Sequence, residues 1–120
     1  MQIQNIQLIK HQHGTIERYY LPAEKLIKGN PEQIVSNQYT SPCGQFHCGT
    51  WQSGPGKWNV KYTEHEFCDI LDGLSIIQDE AGNSLTVAAG DKFVIPAGFQ
   101  GTWEVVDQCK KIYVIFEQHP

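Results

Sequence analysis

The side chains best suited to chemistry crowd into one stretch, "YTEHEFC", which holds Tyr62, His65, Glu66 and Cys68. A glutamate withdrawn from water can bind a ligand or exchange a proton with it, because desolvation disfavours its charged form. A phenol such as Tyr62 offers a hydrogen-bond donor. A thiol beside a carboxylate is disfavoured as a thiolate, so Cys68 reads as a buried structural cysteine. In an extended strand His65 points away from Glu66. A buried carboxylate without a partner is costly; by sequence, Tyr62 and Lys61 are the nearest candidates. A second cluster, "CGQFHC", brings Cys43, His47 and Cys48 together. Its spacing is not that of a zinc finger or ribbon, and on a strand His47 and Cys48 face apart.

These residues need strands to aim them. In "KWNVKYT", Trp58, Val60 and Tyr62 fall on one side, with Asn59 and Lys61 on the other. In "EFCDILD", Glu66, Cys68 and Ile70 share one face, and Phe67, Asp69 and Leu71 the other. Both faces of this run are partly apolar, so one suits an interior and the other a second sheet or subunit. From Gln38 onward eight short runs rich in β-branched and aromatic residues follow one another, "QFHCGTWQ" the first and "KKIYVIFE" the last. That spacing predicts an all-β sandwich or barrel. "DEAGNS" predicts a hairpin turn, and "GPG" and "PAG" mark corners. Ahead of the strands, "LPAEKLIKGNP" reads as one or two helical turns, begun by Pro22 and stopped by Gly29. The expected layout is one domain: an N-terminal segment over 1–37 and a β-barrel over 38–120.

The chain has 120 residues, 40% hydrophobic and 18% charged, with net charge −4. An acidic balance argues against nucleic acid or anionic membrane as main partner. No apolar run reaches the length of a membrane span, and the first residues lack a signal-peptide core. A cytoplasmic location is expected, with Cys43, Cys48, Cys68 and Cys109 as free thiols. A core this small gains from added burial, which favours a homodimer.

The frame around Glu66 resembles the cupin superfamily. Its first motif is G-x5-H-x-H-x3/4-E-x6-G, and its second G-x5-P-x-G-x2-H-x3-N. Here Glu66 is followed by six residues and Gly73, and Gly90 by five residues and "PAG", Pro96 to Gly98. The histidines are absent. Val60 and Tyr62, or Asn59 and Lys61, stand where the first pair belongs, and Gly101 stands where the second-motif histidine belongs. One carboxylate does not hold a transition metal tightly. The features "GTW", "PGKW", "EFCDILDG", "PAGFQGTWEV" and "KKIYVIFE" resemble the branch of small single-domain cupins related to (S)-ureidoglycine aminohydrolase and the ethanolamine-utilization cupins.

That resemblance implies a double-stranded β-helix, commonly dimeric, in which an N-terminal segment pairs with the partner. The aminohydrolase resembled is a two-domain manganese enzyme with its ligands in place, so its activity does not carry over. Three readings stay open. One is a metal-independent small-molecule-binding protein, with Glu66 and Tyr62 as polar or catalytic pair and Trp58, Val60, Cys68, Gly101 and Trp103 lining the pocket. Another is a non-catalytic sensor or accessory module. The last is a metalloenzyme holding manganese, iron, nickel or zinc through Glu66, Tyr62, His65 and His47.

Overall fold

A computed structural model describes residues 1–9 and 15–119. Among them nine strands form one curled antiparallel sheet: β1 (Thr15–Tyr19), β2 (Leu26–Lys28), β3 (Gln33–Thr40), β4 (Phe46–Ser53), β5 (Gly56–Lys61), β6 (His65–Asp79), β7 (Ser84–Ala88), β8 (Lys92–Ile95) and β9 (Gln100–Phe116). Two long strands organise it. β6 and β9 pair along their length, from His65 with Phe116 to Asp79 with Gly101. The second half of β9 carries β4, β3 and β1 in turn, while the first half of β6 carries β8. The first half of β9 carries β5 and β2, while the second half of β6 carries β7. The sheet thus folds over on itself into a jelly roll, as expected for the fold class.

The fold-over happens where the β6–β9 register shifts, between Ile70 and Ser75. Gly73 sits there at φ +89°, and a Cβ on it would lie 2.1 Å from the Gln108 carbonyl oxygen. Only glycine combines that backbone angle with so close an approach. The bend explains a difference from the sequence reading. "EFCDILD" and "LSIIQDE" are one strand that turns at Gly73 without ending, and "GTWEVV" and "KKIYVIFE" are likewise one strand, β9.

The helical turn expected in "LPAEKLIKGNP" is there, as a single 3-10 turn over Ala23–Lys25, after which Leu26 is already extended. The division at residue 37 falls inside β3, and β1, β2 and β3 are all woven into the sheet. β1 pairs with its own chain's β3. The "DEAGNS" hairpin forms as expected, with the Asp79 carboxylate accepting from the Asn83 backbone N–H at 2.9 Å.

Alternation sets the interior. Glu66, Cys68 and Ile70 are buried, while Phe67 and Leu71 are exposed. Trp103 and Val105 of β9 pack inward with Ile77 and Val87 of β6 and β7. Trp51 stands edge-on to both Trp58 and Trp103, centroids 6.2 and 5.7 Å apart. Such aromatic pairs are worth about 0.5–1.5 kcal/mol each beyond their area. Polar ends are met: the Trp51 indole N–H donates to Gln33 Oε1 at 2.8 Å, and the Trp103 N–H to Ser75 Oγ at 3.1 Å. All four cysteines are free thiols. No helix among the described residues is long and apolar enough to cross a membrane.

Candidate functional site

The inner faces of β1, β3, β4 and the second half of β9 enclose a cavity of about 420 Å³ open to one side. Trp51, Trp58 and Trp103 wall it, with Tyr62, Glu66, Lys111 and Tyr113 facing in, and Thr15, Glu17 and Tyr19 on the exposed rim.

Glu66 and Lys111 form a buried ion pair, Nζ to Oε2 at 2.9 Å, each side chain 7% exposed. The same ammonium lies 4.4 Å from the ring centre of Trp103 and 4.8 Å from that of Trp51. Two indole faces therefore flank a cation whose countercharge is Glu66. Burial is the largest single influence on the Lys111 ammonium and works against it; Glu66 first, then Tyr62 and Cys68, together outweigh it and hold the amine above the ordinary lysine range. Held 2.9 Å from a carboxylate and flanked by two indole faces, the ammonium is placed as a hydrogen-bond donor.

Of the residues singled out in the sequence, Glu66, Tyr62, Trp58 and Trp103 come together in this cavity. Glu66 pairs with Lys111 and not with Tyr62 or the exposed Lys61. The Tyr62 phenol is raised by burial, opposed by Lys111 and reinforced by Glu66, and so remains a neutral donor. Three expected pocket residues lie elsewhere. Cys68 is fully buried against Glu66 and Lys111, and burial, the largest cause, pushes its thiol up to about 12. Val60 and Gly101 face each other across β5 and β9 and line a separate surface hollow with Lys25 and Glu80. Trp58 and Trp103, paired across the same two strands, belong to the buried core.

Sequence reasoning missed Lys111, along with Gln33, Trp51 and Tyr113. "KKIYVIFE" carries lysines on both faces and apolar residues on both faces, so alternation did not say which lysine turns inward. Tyr113 reaches across to donate to Asn37 Oδ1 at 2.7 Å, and burial first pushes its phenol up to about 12.

The described residues do not fit a divalent cation. Glu66 is engaged by an ammonium. His65 is on the outer face, stacked on Phe116, with Nδ1 accepting from the Ala97 N–H at 3.2 Å. His47 is at the cavity edge, its Nδ1 2.9 Å from Thr40 Oγ1. A Cβ at Gly101 would lie 1.9 Å from the Gln78 carbonyl oxygen, so no histidine fits that backbone. No three His, Cys, Asp or Glu side chains converge among the described residues.

The family model for the EutQ-like cupin domain matches residues 40–113. Among solved structures, the Clostridium difficile EutQ protein is 21% identical with a TM-score of 0.64, covering 72% of this chain and 63% of its own. A DUF861-family protein of unknown function from Pseudomonas syringae pv. tomato is 21% identical with a TM-score of 0.76, covering 84% of this chain and 44% of its own. A DUF861-family protein from Thermotoga maritima is 27% identical with a TM-score of 0.55, covering 56% of this chain and 76% of its own. The chain thus spans less than two thirds of the first two structures. A search of curated proteins found no match.

Proposed function

The chain belongs to the EutQ-like cupin family, and from that premise we propose that it binds a small organic molecule in its barrel without a metal. One observation carries this reading: a buried Glu66–Lys111 ion pair on the wall of an open aromatic cavity. A pair serving only to order the core would be more cheaply replaced by packed apolar side chains, since desolvation offsets much of its attraction. Here it faces usable space. The tryptophans supply apolar contact area, and Glu66, Lys111 and Tyr62 supply the few polar groups that fix a ligand's orientation. Glu66 is also the group able to take a proton from a bound ligand and return it, with Lys111 steadying the charge.

The working unit under this reading is a homodimer. Ile3, Ile6, Leu8 and Ile9 are at least half exposed along the N-terminal segment, and β1 is the last strand on its side of the sheet. An exposed apolar segment and an open strand edge are each ready pairing surfaces.

The ligand reading is tested by screening a library of small metabolites for a rise in thermal midpoint, with wild type and Trp103→Phe in parallel. Compounds that stabilise the wild type and lose their effect in the variant support it. A library that stabilises neither protein sinks it.

A further inference from the structure

The cavity also indicates what kind of molecule it takes, on the footing that it is a ligand site. Among the described residues the buried cation of the cavity is already spoken for: Lys111 lies between two indole faces, and Glu66 answers its charge. A cationic ligand meets an ammonium in the place where the rings would hold it. An anionic ligand seeking Lys111 meets the Glu66 carboxylate 2.9 Å from the same nitrogen. The pair together is neutral, and it presents a donor and an acceptor side by side. Lys111 has three N–H groups. One goes to Glu66, and beside it lie the Cys68 sulfur and the two ring faces, all weak acceptors. A carbonyl oxygen is a stronger acceptor for the remaining N–H groups. Glu66 in turn accepts at more sites than one lysine fills.

We propose that Lys111 is the hydrogen-bond donor this cavity offers a ligand, with Glu66 the acceptor beside it, and that the ligand is an uncharged planar carboxamide. Its carbonyl oxygen accepts from Lys111 Nζ, and its N–H donates to Glu66. The tryptophan walls take the flat remainder. Placing donor against acceptor at both points pairs Lys111 and Glu66 alike with the ligand, which neither a carboxylate nor an ammonium of the same shape achieves.

Benzamide, benzoate and benzylammonium share one ring and differ in the group that decides the matter. All three tryptophans of the chain line the cavity, so their emission reports its occupation. Each compound is titrated against the intact chain. The expected result is a saturable change with benzamide, at a dissociation constant about tenfold or more below those of the other two. The double variant Glu66→Gln/Lys111→Met, folded by circular dichroism, should lose the benzamide response. Tighter binding of benzoate or benzylammonium overturns the carboxamide assignment while leaving the cavity a ligand site. A benzamide response that survives in the double variant overturns the role of the pair. Failure of all three to bind overturns the assignment, and the library screen then shows independently whether the broader reading falls with it. Should the double variant not fold, the ranking on the wild type decides.

Discussion

Removing either charge of the Glu66–Lys111 pair strands the other in a place water hardly reaches. Lys111→Met is therefore expected to cost about 3–5 kcal/mol in urea unfolding. Glu66→Gln/Lys111→Met should recover much of that, because no lone charge remains, and the double-mutant cycle reads the coupling. The pH dependence has a definite sign. Lys111 is held above its unfolded range, chiefly by Glu66 once burial is overcome, so its contribution is fully present below the ordinary lysine pKa. It is lost only as the pH rises through the higher folded value. The wild type should thus lose stability in strongly alkaline solution more steeply than the double variant, measured by urea midpoints across that range. The thiol expected to react first is a different residue, exposed Cys43. Cys43 accepts hydrogen bonds from Ser41 and Gln45 that lower it to about 7. Its alkylation by iodoacetamide should rise with a midpoint near pH 7, as the thiolate forms, and outpace that of buried Cys68 and Cys109. Mass spectrometry of partially labelled protein checks both statements.

Among the elements, β6 and β9 matter most, because each serves both halves of the sheet and bends to do so. Gly73 makes the bend possible. Gly73→Ala must bear a positive φ and a Cβ 2.1 Å from the Gln108 carbonyl oxygen. Gly82, in the β6–β7 hairpin turn, has a similar φ of +91° and open space around it. Gly82→Ala should therefore cost about 1–2 kcal/mol of backbone strain alone, and Gly73→Ala clearly more, in the same urea series. Equal costs would mean that the close contact at Gly73 relaxes freely. The glycine that closes the first cupin motif was legible in the sequence as a spacing. Its physical role was not, because a spacing does not reveal which distant carbonyl lies opposite.

At the level of the whole molecule, light scattering is expected to give about twice the monomer mass of 13.6 kDa. Deleting residues 1–9 should shift it toward monomer if the exposed Ile3, Ile6, Leu8 and Ile9 form the contact. A dimer unaffected by the deletion would place the interface on another face.

Period-two alternation determined much from the sequence alone. It put Glu66, Cys68 and Ile70 on one face, Trp58 and Tyr62 on another inward register, and, with the turn residues between the runs, predicted an all-β barrel. Local repeats suffice there because side-chain direction along a strand is set by the strand itself. Tertiary structure decided what Glu66 meets. Its partner comes from β9, far along the chain, in a run whose two faces look alike. Only the β6–β9 register, fixed by the shifts around Gly73, turns Lys111 inward and Lys110 away. The missing histidines were visible as letters. That an ammonium between two indoles answers the remaining carboxylate followed from pairing between residues the sequence keeps apart, which no local pattern encodes.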